Sequence, residues 1–95
     1  MPAAYEWDEA KNRENIAKHG IDFADAGRIF ERRLLVRLDD RENYGEERWV
    51  ALGELDGVVV VVVFTRRDDR LRVISIRKAN GRERKVYQEA VGGTP

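Results

Sequence analysis

The run of six valines at positions 58–63 constrains the fold of this 95-residue chain more than any other segment. Valine favours extended backbone, and an apolar run without polar alternation is typical of a strand that is buried on both faces. The same run at the edge of a sheet would promote aggregation. We therefore predict that residues 58–65 form a central strand, which ends with Phe64 and Thr65.

Three more strands are predicted around this one. An Asp-Gly pair at Asp56 and Gly57 precedes the valine run and is a strong hairpin signal. The four predicted strands are residues 34–38, 47–55, 58–65 and 71–78. Simple alternation in the last strand predicts that Lys78 lies on one face. The other face would carry Leu71, Val73, Ser75 and Arg77.

Well-marked ends predict two helices before the strands. Asp8 is a suitable N-cap for a helix over residues 9–18, and Gly20 just beyond it favours the left-handed conformation of a C-terminal cap. Asp22 caps a second helix that runs through Phe30. Because the junction between them is short, we expect a helical hairpin.

A capping box predicts the last helix. Asn80 is followed three residues later by Glu83, and the helix carries Val86, Tyr87 and Ala90. The predicted fold class is α+β, with an N-terminal helical hairpin, a four-stranded antiparallel sheet and a C-terminal helix. We predict one domain over residues 1–91 and a flexible tail at residues 92–95.

Composition excludes several classes of protein and site. The chain has no cysteine, which removes disulfides and thiolate metal sites and indicates a reducing, cytoplasmic compartment. The longest apolar run, 58–64, is far shorter than the roughly 20 residues of a membrane span. No histidine or carboxylate cluster has metal-ligand spacing, and the glycines form no phosphate loop, so we predict neither metal nor cofactor.

Charge is unevenly distributed along the chain, although 18 Lys and Arg balance 18 Asp and Glu overall. Between positions 65 and 87, nine cationic side chains oppose three acidic ones. A cationic face of this kind suits a phosphate-bearing polymer, because contacts to phosphates supply most nucleic-acid affinity. The alternative interpretation is an ordinary solvated surface.

Several separated segments resemble the BrnT toxin family: 5–12, 18–23, 72–80 and Glu83, Arg84 and Tyr87. The resemblance implies a RelE-like ribonuclease toxin of a type II toxin–antitoxin system that cleaves RNA and inhibits translation. It also implies a ribbon-helix-helix antitoxin, which would bind the operator DNA itself. Ribosome association of the RNA and a toxin dimer within the complex stay open.

Metal-independent RNA cleavage needs a base for the 2′-hydroxyl, positive charge at the phosphorane and a proton for the leaving oxygen. Arginine suits the charged role, because its planar fork matches two phosphate oxygens. We favour Arg77, with Arg66 or Arg67 beside it. Alternation allows only one of Arg77 and Lys78 to enter a site, unless the strand is bulged.

The remaining candidates each have an alternative role. Lys78, Glu83 and His19 are candidate proton-transfer or orienting groups. The alternative role of His19 is a dipole partner at a helix C-terminus, and that of Glu83 is a capping residue. Tyr87 either stacks on a base or packs in the core. Arg48 and Arg84 complete the predicted RNA-binding set. The rival function is a noncatalytic module that binds nucleic acid or protein through the same basic face.

Overall fold

The structure, a computed structural model, describes residues 4–91. The predicted tail at residues 92–95 lies outside this range. In chain order the elements are β1 (Ala4–Glu6), α1 (Glu9–His19), a 3₁₀ turn (Phe23–Asp25), α2 (Ala26–Phe30), β2 (Leu35–Asp39), β3 (Arg48–Leu55), β4 (Val58–Arg67), β5 (Arg70–Lys78) and α3 (Gly81–Val91).

The strands form one sheet in the order β1-β5-β4-β3-β2, so the valine-rich β4 lies at its centre, as predicted. β2, β3, β4 and β5 pair in an antiparallel meander. The hairpin between β3 and β4 turns at Asp56 and Gly57, whose φ angles are 51° and 81°. Positive φ at both positions is the geometry that an Asp-Gly hairpin turn requires.

The α+β class is confirmed, but two predicted details are wrong. The described part of the sheet has five strands, because β1 pairs in parallel with residues 70–72 of β5. Three residues are too few to show an alternation in the sequence. The second predicted helix is a 3₁₀ turn followed by the five-residue α2, although Asp22 caps its start by accepting a hydrogen bond from the Ala24 N–H at 2.9 Å.

A β-bulge in β5 changes which residues share a face. The register with β4 shifts between Val63, opposite Ser75, and Phe64, opposite Val73. Ile74 is therefore the extra residue, and the predicted grouping of Leu71 and Val73 with Ser75 and Arg77 is wrong. The bulge precedes Arg77 and Lys78, so these two still alternate, opposite Val61 and Val60.

Each face of the sheet carries a separate hydrophobic cluster. On the α1/α2 face, side chains from residues 21–29 pack against the strands, and the cluster contains Ile21, Phe23, Ala26, Ile29, Ala51, Val60, Val62, Phe64, Leu71, Val73 and Ile76. On the α3 face the cluster is smaller: Val50, Val59, Val61, Ala79 and Tyr87. No helix within residues 4–91 has the length and apolar character needed to cross a membrane.

Candidate functional site

An ion pair between Arg77 and Glu83 joins the end of β5 to the start of α3. Arg77 Nη1 donates to Glu83 Oε1 and Arg77 Nη2 donates to Glu83 Oε2, both at 2.8 Å. Arg77 is the last residue but one of β5, just before the chain turns into α3, and Glu83 lies in the first turn of α3. Because 41% of the Arg77 side chain is exposed, its guanidinium is accessible to a ligand.

The turn between β5 and α3 fixes both partners. The Ala79 N–H donates to the Val59 carbonyl at 2.9 Å, which ties the turn to β4. The Glu83 N–H donates to Asn80 Oδ1 at 2.8 Å, and the Asn80 N–H donates to Glu83 Oε1 at 2.9 Å. This reciprocal pattern is the predicted capping box. Glu83 therefore caps α3 and holds Arg77 at the same time.

The ion pair shifts the pKa values of both partners. Hydrogen bonds from Arg77 hold the pKa of the Glu83 carboxyl at about 2, below its ordinary value of 4.5, with further lowering by the Asn80 N–H and the charges of Arg77 and Arg37. The same contact raises the pKa of Arg77. Glu83 is therefore ionised at neutral pH and too weak a base, while it holds Arg77, to take a proton efficiently.

A second arginine, Arg37 of β2, lies across the same face. Arg37 is opposite Val50, Val50 is opposite Val63, and Val63 is opposite Ser75, so the four residues form one row across the strands. Three strand spacings separate the ends of this row by about 14 Å. Arg77 is two residues beyond Ser75 on the same face. The two long side chains thus flank a strip of small and medium side chains.

Between β2, β3 and α3 the surface forms a cleft of about 390 Å³. The sheet contributes three apolar side chains and one arginine to its walls: Leu35, Val50, Leu52 and Arg37. The opposite wall, formed by α3 and its N-cap, is mixed: Asn80, Arg82, Glu83 and Val86. Glu83 therefore touches both Arg77 and the cleft. An extended anionic ligand with a flat apolar part matches this arrangement of charge and shape.

Arg41 and Asp39 extend the charged surface beyond β2. Asp39 is 3% exposed, and its two carboxylate oxygens accept hydrogen bonds from Arg41 Nε at 2.8 Å and Nη2 at 3.0 Å. This contact lowers the pKa of Asp39. The charge of Arg41 also acts on Arg77, where it lowers the pKa.

Arg48, a predicted RNA-binding residue, lies at the start of β3 opposite Asp39. Its guanidinium carbon is 4.1 Å from the centroid of the Tyr44 ring, which is a cation–π contact. Its Nε is buried and has no hydrogen-bond partner within residues 4–91. Arg48 therefore belongs to the same face as Arg37, at the far side from α3.

Two predicted residues lie on the opposite face. Lys78 alternates with Arg77 and is exposed on the α1/α2 side of β5. Arg66 is opposite Leu71 and lines an apolar groove with Phe64 and Trp49 on that side. The prediction that the cations of 65–87 converge on one patch is therefore wrong for both. Alternation alone accounts for this, because Lys78 directly follows Arg77 and Arg66 is five residues from Val61, the partner of Arg77.

Two further arginines have local roles. Arg67 forms an ion pair with Glu46, Nη2 to Oε1 at 3.4 Å, at the end of β4. It is six residues from Val61, the partner of Arg77, which is about 20 Å along the strand. Arg84 Nη1 donates to the Ala79 carbonyl at 3.2 Å, beside the turn that carries the Arg77–Glu83 pair.

His19 and Tyr87 occupy positions that suit their structural alternatives. His19 lies in the last turn of α1, before Gly20 with its φ of 72°, and forms no hydrogen bond or ion pair with Arg77 or Glu83. Tyr87 is 6% exposed and its hydroxyl donates to the Arg33 carbonyl at 2.9 Å. Its ring is part of the α3-face cluster, so no surface is left on which a base could stack.

Arg37, Arg41 and Arg82 were not among the residues predicted for the site. A signal for Arg37 existed, because alternation places Leu34, Val36 and Leu38 on one side of β2 and Arg37 on the other. Nothing local indicated that this side faces Glu83. Over residues 4–91, no three His, Asp or Glu side chains come together as a metal-binding group.

Comparison with known proteins gives a family. None of the curated proteins matches the chain. The family described as "Ribonuclease toxin, BrnT, of type II toxin-antitoxin system" matches residues 7–83, which include Arg37, Arg77 and Glu83 and end before Arg84 and Tyr87. Because the match covers well over half of the sequence, the chain belongs to the BrnT family of ribonuclease toxins of type II toxin–antitoxin systems.

Proposed function

We propose that the protein is an endoribonuclease that cleaves RNA without a metal ion, with the scissile phosphate bound between Arg77 and Arg37 on the α3 face. The observation that carries the proposal is the accessible guanidinium of Arg77, held by Glu83 at the edge of an apolar-walled cleft. The planar fork that now binds two carboxylate oxygens suits two phosphate oxygens equally well.

The reaction uses the substrate's own 2′-hydroxyl as the nucleophile. The 2′-oxygen bonds to phosphorus, the bond from phosphorus to the 5′-oxygen breaks, and the products carry a 2′,3′-cyclic phosphate and a 5′-hydroxyl. Arg77 and Arg37 stabilise the charge that develops on the phosphorane. Water supplies the proton for the leaving 5′-oxygen, because neither His19 nor Lys78 lies on this face.

Glu83 acts in two stages. In the free protein it is bound to Arg77 and its pKa is about 2. When a phosphate takes over the Arg77 fork, Glu83 loses the hydrogen bonds that depress its pKa, and its basicity rises toward that of an ordinary carboxylate. It then accepts the 2′-hydroxyl proton. Its hydrogen bond from the Asn80 N–H keeps it in place through the exchange.

The cleft holds the nucleoside next to the scissile phosphate. Leu35, Val50 and Leu52 form an apolar floor, and Val86 faces it from α3. A base would pack against these side chains while Arg82 and Asn80 contact the backbone or the base edge. Cleavage of messenger RNA in this way would inhibit translation and growth.

A ribbon-helix-helix antitoxin would neutralise the toxin by covering this face. An acidic or amphipathic segment of the antitoxin could bind Arg77 and Arg37 and compete directly with RNA. The type II family supports a protein antitoxin. Binding of operator DNA would be a property of the antitoxin.

An RNA cleavage assay of the isolated chain in EDTA tests the proposal. We expect the wild type to produce fragments with 2′,3′-cyclic phosphate ends and Arg77→Ala to produce none. Arg13→Ala, on the exposed side of α1, is the matched control and should cleave normally. A folded wild-type protein that binds RNA saturably without cleaving it would support the noncatalytic module instead.

A further inference from the structure

β5 has β4 along one edge, but beside Arg77 its outer edge has no neighbouring strand in the part of the chain that the structure describes. β1 pairs only with residues 70–72, so the outer edge of β5 beyond Arg72 has no strand partner there. Backbone N–H and C=O groups at such an edge need other partners when they are buried. The outer edge at Ile76 is buried, because α1 packs against β5 and Ile76 is 0% exposed.

Asn15 of α1 supplies these partners. The Ile76 N–H donates to Asn15 Oδ1 at 3.2 Å, and Asn15 Nδ2 donates to the Ile76 carbonyl at 2.9 Å. The second hydrogen of Nδ2 goes to the Ile21 carbonyl at 2.9 Å. The amide thus makes the two hydrogen bonds that a neighbouring strand would make with Ile76, and it uses both donors and its acceptor.

We propose that Asn15 is a positioning residue for Arg77, an inference that rests on the proposed role of Arg77 in RNA cleavage. The Ile76 carbonyl and the Arg77 nitrogen belong to the same peptide plane, so the Asn15 amide fixes the plane from which the Arg77 side chain departs. On its other edge β5 is held by β4, where Arg77 is opposite Val61. The residue is therefore fixed from both sides.

Asn15 acts from α1, at the outer edge of β5, and touches no substrate. A displacement of about 1 Å at a catalytic group can cost about a hundredfold in rate, which makes this support important for a group that must meet two phosphate oxygens. Asn15 contributes rigidity because its three hydrogen bonds join three separate segments: α1, the turn at Ile21 and β5.

Asn12 provides a matched control on the same helix. Both asparagines are 7% exposed. Asn12 Nδ2 donates to Asp22 Oδ1 at 3.0 Å, and the Phe23 N–H donates to Asn12 Oδ1 at 2.8 Å. Its contacts fasten α1 to the 3₁₀ turn and do not reach β5. Loss of either amide should destabilise the protein, but only loss of Asn15 should release Ile76.

The experiment compares Asn15→Ala with Asn12→Ala, using the intact chain and an RNA oligonucleotide in EDTA. Rates are corrected for the folded fraction measured by circular dichroism. We expect Asn15→Ala to lower kcat at least tenfold while KM changes less than about threefold, because the transition state depends on the alignment of Arg77 more than binding does. Asn12→Ala should keep kcat within about twofold.

A second readout does not depend on RNA. NMR titration of the Glu83 carboxyl should give a pKa near the value of about 2 in the wild type and in Asn12→Ala. In Asn15→Ala the pKa should be raised, because a displaced Arg77 holds the carboxylate less well. Should Asn15→Ala not fold, Asn15→Asp takes its place, since aspartate still accepts from the Ile76 N–H but cannot donate to either carbonyl.

The outcomes separate the two proposals. An inactive Arg77→Ala combined with wild-type kcat in folded Asn15→Ala, or with an unchanged Glu83 pKa in that variant, overturns the role of Asn15 and leaves the cleavage mechanism standing. Full activity of Arg77→Ala overturns the proposed function, whatever the NMR titration of Glu83 gives.

Discussion

The two faces of the sheet differ in how they are filled. On the α1/α2 face, aromatic and aliphatic side chains pack so closely that a Cβ on Gly53 would lie 2.8 Å from Ile29 Cγ2 and 2.9 Å from Leu34 Cδ2. The α3 face has a smaller cluster, and its open part carries Arg37, Arg77 and the cleft. A single strand serves both, because successive residues of β5 point in opposite directions.

The two faces therefore have different main roles: the α1/α2 face contributes most of the stability, and the α3 face carries the proposed RNA site. Ile76 and Arg77 are neighbours in sequence, yet Ile76 is completely buried and the side chain of Arg77 is 41% exposed. Substitutions of apolar core residues on the α1/α2 face should therefore mainly reduce the free energy of unfolding, whereas substitutions of the arginines on the α3 face should mainly affect RNA binding and cleavage.

The largest effect is expected from Ile76→Ala. Removal of a fully buried isoleucine side chain typically costs about 2–5 kcal/mol of unfolding free energy, because the cavity is only partly refilled. Urea denaturation followed by circular dichroism measures this cost. Val58→Ala, at an exposed valine of β4, is the control and should cost less than about 1 kcal/mol. Equal losses in the two variants would contradict the assignment of the main core to the α1/α2 face.

The next effect concerns Arg37→Ala. Loss of a charge-assisted hydrogen bond to phosphate costs about 1.5–3 kcal/mol, so RNA affinity should fall about 10- to 100-fold. Each lost phosphate contact should also reduce the salt dependence of binding to single-stranded RNA, by about 0.7 in the slope of log K against log salt. Binding measured between low and moderate salt gives both quantities.

Arg66→Ala is the informative comparison for Arg37, because it removes the same charge from the α1/α2 face. We expect Arg66→Ala to leave the salt slope unchanged. If the two variants changed the slope equally, RNA would contact both faces and the separation of stability from chemistry would fail.

Much of the fold could be predicted because its signals are local. The position of β4 followed from its composition, and the capping box at Asn80 and Glu83 followed from a three-residue spacing. The bulge at Ile74 depends on pairing with β4, and no residue type marks it. Consequently, the predicted face was wrong for Leu71 and Val73, which precede the bulge. The alternation of Arg77 and Lys78, which follow the bulge, was predicted correctly.

The candidate site was less predictable, since it is made of long-range contacts. Arg37 is 46 positions from Glu83 in the sequence, and only the order β4-β3-β2 brings β2 under the start of α3. The second role of Glu83 was equally hidden. Its spacing from Asn80 indicates a cap, but the hydrogen bonds to Arg77 depend on the sharp turn after β5.

A smaller effect is expected from Glu83→Gln, measured as unfolding free energy against pH. The pKa of Glu83 is lowered in the folded protein, so its ionised form adds stability above pH 4.5, and this contribution is lost as the pH falls toward about 2. Glutamine keeps the capping hydrogen bond but not the charge. We expect a loss of about 1–2 kcal/mol at pH 7 that disappears near pH 2. Glu46→Gln, in an exposed pair, is the control and should show little pH dependence of this kind.

The smallest effect is expected from Arg67→Ala. Its ion pair with Glu46 is largely exposed, and such pairs contribute about 0–1 kcal/mol. Because Arg67 is about 20 Å along β4 from the partner of Arg77, a phosphate bound at Arg77 cannot also contact it. Cleavage of a trinucleotide should therefore be unchanged, measured as kcat/KM. Arg67→Ala could leave trinucleotide cleavage unchanged and still weaken the binding of a longer RNA. That result would show that RNA follows the α3 face along the whole of β4. Arg67 would then be a distant binding residue, and the cleavage site would remain at α3.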